Sequence, residues 1–308
     1  MHGSQEWLRA IAAEEQEFFS KLAPHLVKNG VRMDTVLEGS KAAAAAFDDP
    51  NCLNLLINHP PAYGPRILHV NPAPILGFWH VDEVGPAQHS SLRLSEFDPT
   101  HVDADKATYF FNGVAGYMIR ENVSPIRQAD RAHNGLHSAR AVVFCGADDG
   151  TVPTLSYLNH ETMIRTCAEQ DRNALIYVKL HADQGKENRR LVMDVCRDYQ
   201  NVKISEASLH DLIEASDLVV TQNAPAGFEA LMHKRPVITC AKSSYWHASL
   251  TARNRSDLKQ ALEFGADLMA DFPYEKYFFW TLVRHGLEPA KDDFAKRAWA
   301  RLRDKVLW

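Results

Sequence analysis

The sequence lacks what would mark a secreted, membrane-spanning or nucleic-acid-binding chain. Its five cysteines, Cys52, Cys145, Cys167, Cys196 and Cys240, stand far apart with no C-x-x-C pair. An odd count at such spacings excludes a disulfide framework and reads as reduced thiols in the cytoplasm. No apolar run approaches the ~18–20 residues needed to cross a bilayer. The longest small-residue block, Ala42–Ala46, lies between Lys41 and Asp48. Glu6, Glu14, Glu15 and Glu17 near the start are wrong for a secretory signal. There is no basic excess either: 34 Lys and Arg against 39 Asp and Glu leave a net charge of -5, so no nucleic-acid partner is expected. Neither G-x-G-x-x-G nor G-x-x-x-x-G-K-[ST] occurs, which removes the dinucleotide fingerprint and the P-loop. Fifteen histidines are present, but without H-E-x-x-H or a comparable close spacing, so no metal site is expected.

What is there suits a folded α/β protein. The 308 residues, 45% hydrophobic and 24% charged, are enough for two domains or one large one. Trp7, Leu8, Ile11, Phe18, Phe19 and Leu22 predict an opening amphipathic helix. Prolines 60, 61, 65, 72, 74 and 86 then punctuate short extended runs, Ile67–Val70 and Phe78–Val81. Ala107, Phe110, Phe111, Val114, Ala115 and Met118 predict a second helix. After about Arg131 the rhythm is regular. Strands are expected at Ala141–Cys145, Ala174–Leu180, Val202–Ile204, Leu218–Thr221 and Pro236–Cys240. Helices are expected over Leu155–Cys167, Asn188–Tyr199, Leu209–Ala215 and Gly227–His233, with two more near Tyr274–Val283 and Phe294–Leu307. Short strands alternating with helices imply βαβ units and a mainly parallel sheet.

Ligands of such sheets bind beyond the carboxyl ends of the strands. In Tyr177-Val178-Lys179-Leu180-His181, Lys179 and His181 fall on one side of a strand, because side chains alternate. A cation beside an imidazole suits an anionic phosphate; a basic strand end on the surface explains it as well. In Thr221-Gln222-Asn223-Ala224-Pro225-Ala226-Gly227-Phe228-Glu229, a strand runs through a polar turn into a helix whose first N–H groups suit a phosphate. Glu229 would accept hydrogen bonds from ribose hydroxyls or else complement the helix dipole. Ser208-Leu209-His210-Asp211 reads as a capping box, and Asp148-Asp149-Gly150 as a turn. In the first half, Gly77-Phe78-Trp79-His80-Val81-Asp82-Glu83 is followed by His89, Ser90, Ser91 and Arg93. His80 and Asp82 share one side of an extended segment, which suits acid–base or nucleophilic chemistry. The alternative is a polar loop whose Asp caps a neighbour.

The order of these residues resembles the capsule-polysaccharide biosynthesis glycosyltransferases, the retaining β-Kdo transferases that use CMP-Kdo. The resemblance runs over Val142–Thr251. It is carried by Lys179 and His181, by Arg189 and Arg190, and by Ser208-x-x-Asp211-Leu212-Ile213-x-x-Ser216-Asp217-Leu218-Val219-Val220-Thr221. Asn223, Gly227-Phe228-Glu229-Ala230-Leu231, Arg235-Pro236-Val237-Ile238-Thr239 and Tyr245 complete it. Two departures stand out. Ala182 follows His181 where the family has proline, and Ala224 follows Asn223 where the family has Ser or Thr.

The resemblance implies an α/β, GT-B-like architecture, two Rossmann-type lobes with a cleft between them. Residues 1–130 would form the acceptor-side lobe, 131–275 the nucleotide-sugar lobe, and 276–308 helices packed back across both. Lys179, His181, Gln222, Asn223, Gly227, Glu229 and Tyr245 would hold the nucleotide; Ser90, Ser91 and Arg93 would meet the sugar or acceptor. Asp82 would be the nucleophile of a retaining transfer, with His80 or Glu83 assisting the incoming hydroxyl. The partners implied are a nucleotide-sugar donor and a saccharide or glycolipid acceptor, with no cofactor and no metal. Lipid-linked acceptors would bring the chain to the inner face of the membrane. The last helix, with Lys296, Arg297, Arg301, Arg303 and Lys305 beside Phe294, Trp299, Leu302 and Trp308, is either an interfacial helix or one packed with a solvated basic face. Two other functions stay open: a non-catalytic sugar-nucleotide-binding partner in polysaccharide assembly, and a transferase or epimerase using a UDP-sugar.

Overall fold

The computed structural model describes residues 1–147 and 155–306; Asp148-Asp149-Gly150 and Trp308 lie outside them. The chain divides into two compact units, Met1–Glu96 with Trp280–Trp308, and Phe97–Phe279. The boundaries expected at 130 and 275 therefore fall elsewhere. The helix 104–120 belongs with the second unit because its buried stripe packs there: Phe111 meets Phe278 edge-on at 5.4 Å.

The first unit runs β1 (His2–Gly3), α1 (Gln5–Ala12), α2 (Glu17–Lys28), β2 (Val36–Leu37), α3 (Lys41–Asp48), β3 (Asn54–Leu56), β4 (Ile67–Pro72) and β5 (Trp79–Asp82). The single opening helix expected from the sequence is two, because Glu14 turns the chain at φ 58°. Later segments add β12 (Gly286–Leu287) and α11 (Phe294–Val306) to this unit. The sheet order is β12-β5-β4-β3-β1-β2, parallel from β4 to β2 and antiparallel at β5 and β12. Alternation sends Leu55, Leu68, Val70 and Trp79 to one face, against Phe18, Phe19 and Leu22 of α2 and Phe294 and Leu302 of α11. The ring of Phe18 lies 4.9 Å from that of Trp79 and 5.0 Å from that of Phe294. The opposite face is polar. His69 stands across from Asp82, and Asn71 across from His80.

The second unit holds α4 (Ala104–Arg120), β6 (Ala139–Phe144), α5 (His160–Gln170), β7 (Ile176–Lys179), α6 (Lys186–Arg197), β8 (Val202–Ile204), α7 (Leu209–Glu214), β9 (Ser216–Thr221) and α8 (Pro225–Ala230). β10 (Val237–Thr239), β11 (Leu250–Thr251), α9 (Arg255–Leu268) and α10 (Tyr274–Phe279) follow. Its sheet is wholly parallel, ordered β11-β10-β9-β6-β7-β8. Counted from β6 this is the 3-2-1-4-5-6 order of a doubly wound fold, and the order reverses between β6 and β9. Val143, Val178, Val220 and Ile238 pack against Met163 and Cys167 of α5, Val192 and Cys196 of α6, and Leu258 and Leu262 of α9. Strands buried on both faces read as continuous apolar runs, which is why the sequence showed them so plainly.

Candidate functional site

A cavity of about 390 Å³ opens in the second unit at the carboxyl ends of β6, β7 and β9. This is the crevice beside the strand-order reversal, where an open parallel sheet takes its ligand. Phe144 and Cys145 close β6, Lys179 to Ala182 follow β7, and Ala224, Pro225, Ala226 and Glu229 come from the turn and α8. Ser124 to Ala129, the segment after α4, forms a further wall with Leu209.

That wall is held by polar contacts to the start of α7. Ser208 donates to Asn122 at 2.5 Å, the Leu209 N–H donates to Gln128 at 2.9 Å, and His210 Nε2 bonds the Val123 carbonyl at 3.0 Å. A carbonyl can only accept, so Nε2 carries the proton and Nδ1 faces His233 Nε2 at 2.9 Å. Burial holds both rings neutral, with the pKa of His233 pushed down to about 3. Arg131 bridges Asp211 and Glu214, each at 2.5 Å, and fixes the end of the same segment.

The charge of the cavity is mostly positive. Lys179 donates to the carbonyls of Ala207 at 2.6 Å and Glu206 at 3.4 Å. An ammonium has three donors, so one remains for the cavity. Burial lowers its pKa. Arg189 meets Glu206 at 3.4 Å, and His181 accepts from the Asp183 N–H at 3.1 Å. Glu229 is the outlier. Its side chain is buried, its Oε2 has no hydrogen-bond partner, and burial raises its pKa to about 8 against the opposing hydrogen bond of Ser124. An unpartnered buried carboxyl oxygen costs free energy unless a donor arrives.

Four residues expected to touch the nucleotide are not on the cavity wall. Gln222 donates to the Leu158 carbonyl at 2.8 Å. Asn223 is half-buried in the turn ahead of α8. Gly227 is buried in α8, where a Cβ would lie 2.5 Å from the Tyr245 hydroxyl and 2.9 Å from Thr221 Cγ2. Tyr245 lies behind the turn, its hydroxyl donating to the Ala224 carbonyl at 2.9 Å, and burial raises its pKa. Gly227 and Tyr245 thus shape the wall from behind.

The remaining candidates belong to the first unit. Asp82 is buried at the end of β5 and accepts from Val84 N–H (2.8 Å) and Gly85 N–H (3.0 Å) on Oδ1. Its Oδ2 accepts from Ser90 Oγ (2.6 Å), Ser91 N–H (2.8 Å) and Ser91 Oγ (2.9 Å). This carboxylate closes the loop 83–91 on itself. His80 is neutral, its pKa lowered to about 4 by burial against the opposing bond from His285. Glu83 pairs with Lys305 at 2.8 Å, and Arg93 bonds the Gln88 carbonyl at 3.2 Å. In α11, Arg297 donates to the Val283 and Gly286 carbonyls and Arg301 to those of Arg284 and His285. Much of the basic face foreseen for a membrane therefore caps the turn before β12. Among the described residues no helix is long and apolar enough to cross a membrane.

Sequence reasoning missed Ser124, Arg127 and Gln128. Their one local signal is Ser-Pro after a helix, which marks a loop and nothing more; only the contacts to α7 give the segment its place.

Residues 155–271 match the family model described as "Capsule polysaccharide biosynthesis protein". The matched stretch holds Lys179, His181, Arg189 and Glu229, so the resemblance drawn from those residues stands. No curated protein matches the chain. In fold it is similar to "Thermosulfurimonas dismutans KpsC, beta Kdo 2,7 transferase", with a TM-score of 0.53 and 14% identity over 85% of this chain and 87% of that one. "Thermosulfurimonas dismutans KpsC, beta Kdo 2,4 transferase" gives 0.44 and 18% over 64% and 71%. The UDP-GlcNAc 2-epimerase from Neisseria meningitidis bound to UDP-GlcNAc gives 0.35 and 14% over 54% and 45%. The fold is the expected α/β class with two parallel-rich sheets.

Proposed function

We propose that the chain is a glycosyltransferase of surface-polysaccharide assembly, taking a CMP-activated ulosonic acid (Kdo or a relative) as donor and a saccharide or glycolipid as acceptor. The observation that carries this is Glu229: a buried carboxyl with a partnerless oxygen, set in a cavity with Lys179, His181 and Arg189 at the sheet's switch point. Vicinal ribose hydroxyls supply the donors that Glu229 lacks. The third N–H of Lys179, with Arg189 and His181, meets the phosphate and stabilises CMP as charge develops on departure. The capsule-family match over residues 155–271 and the likeness in fold to a β-Kdo transferase support a glycosyltransferase of this kind.

A retaining course through Asp82 requires one Oδ to be released from its serine and amide donors. The bonds it makes fit better an anchor for the loop that carries Ser90 and Ser91. The reading is tested by thermal unfolding with CMP and UDP in parallel, then by CMP release from CMP-Kdo with and without acceptor. CMP at a hundred times its Kd stabilises by about 2.7 kcal/mol, UDP by less, and release rises with acceptor. A shift with UDP alone overturns the donor. The departures Ala182 and Ala224, both on the cavity wall, favour a second reading, a sugar-nucleotide-binding subunit without catalysis. It predicts the CMP shift with no CMP release.

A further inference from the structure

Three cations line the cavity, and two already have protein partners. Lys179 donates to two carbonyls, and Arg189 meets Glu206. Arg127 differs: it is exposed, lines the cavity and has no hydrogen-bond or ion-pair partner among the described residues. Its backbone is not loose. Gln128 beside it accepts the Leu209 N–H at 2.9 Å, and Asn122 ties down the Ala129 carbonyl at 2.8 Å. A fixed backbone thus presents a side chain that nothing in the protein engages.

We propose that Arg127 recognises the carboxylate of the donor sugar, making the cavity selective for a nucleotide sugar with a second anionic group apart from its phosphate; this rests on the donor reading above. The guanidinium is a planar fork matching a carboxylate through two parallel N–H···O bonds, which an ammonium cannot reproduce. A CMP-ulosonate carries one charge on its phosphodiester and one beside its anomeric carbon, and three cations line the cavity with Glu206 as the facing acid. The cations also come from separate walls, Lys179 and Arg189 from the β7 end and α6, Arg127 from the segment after α4. Two separated anions suit that placement better than one diphosphate.

The test compares Kd for CMP and for CMP-Kdo in wild-type protein, Arg127→Ala and Arg127→Lys, by calorimetry at low salt. Arg127 has no partner to lose, so both variants fold as wild type, checked by circular dichroism. The expected result is that Arg127→Ala weakens CMP-Kdo by about 10-fold to 100-fold and CMP by less than about threefold. Arg127→Lys falls between, and added salt narrows the gap. If Arg127→Ala weakens both ligands alike, or neither, the assignment is overturned while the donor reading stands. If wild-type protein binds neither CMP nor CMP-Kdo, the donor reading fails and takes the assignment with it.

Discussion

Each unit holds a buried carboxyl, Asp82 at the end of β5 and Glu229 in α8 after β9, and the two are bonded in opposite ways. Asp82 accepts five hydrogen bonds from its own loop, whereas Glu229 leaves Oε2 without any. The sheets differ to match. The first unit has one aromatic-packed face and one polar face of His69, Asn71, His80 and Asp82; the second is parallel, apolar through its middle and opens to a cavity where the strand order reverses. A carboxyl whose bonds are all internal holds a loop; one with a bond missing has room for a further donor. In sequence both are an acid near a strand end, and only the hydrogen bonds tell them apart.

Asp82→Ala gives the sharpest way to break the contrast. It strips five donors of their acceptor in a buried site and is expected to cost about 3–4 kcal/mol in urea unfolding, with CMP affinity kept. A stable Asp82→Ala protein that loses CMP binding would reverse the roles of the two acids. The mirror experiment is Glu229→Gln. The folded-state pKa of Glu229 is raised to about 8, so the ligand-free protein binds a proton that the unfolded chain has lost. Stability from that group is complete below the unfolded carboxyl pKa and is lost as pH rises to about 8. Glu229→Gln removes that loss, and above pH 8 it is expected to unfold on the order of 3 kcal/mol harder than wild type. It should also bind CMP more weakly. A pH profile identical to wild type would mean that Glu229 is not held protonated. The smallest effect tests the wall from behind. Gly227→Ala places a methyl against the buried Tyr245 hydroxyl, at a cost of about 1–3 kcal/mol. Adding Tyr245→Phe removes the obstructing oxygen and should recover part of it, visible as coupling in the double-mutant cycle.

Legibility followed the physics of burial. The strands β6, β7, β9 and β10 were readable because they are buried on both faces, and Glu229 and Lys179 because strand ends in such sheets point at ligands. The two-residue strands β1 and β2 and the three-residue β3 gave no period to read. The break at Glu14 was hidden because the hydrophobic spacing continues across it. α9 was missed although Asn254 caps it through Ser256 and Asp257 and Leu258, Ala261 and Leu262 recur at helical spacing. The segment 123–129 was invisible for another reason: its place depends on partners some eighty residues away, in α7. Gln222 and Tyr245 were misplaced because order along the chain cannot say which side of a turn a side chain takes.

Leaving Glu229 protonated in the empty cavity has a consequence for the energetics of filling it. A ribose hydroxyl that donates to this carboxyl would favour its ionised form, so uptake of the proposed nucleotide is expected to release a proton into the buffer. The heat of mixing then carries the ionisation enthalpy of whichever buffer receives that proton, and the same ligand gives different apparent enthalpies in phosphate and in Tris. The protein is in this sense a weak acid whose strength reports whether its crevice is occupied.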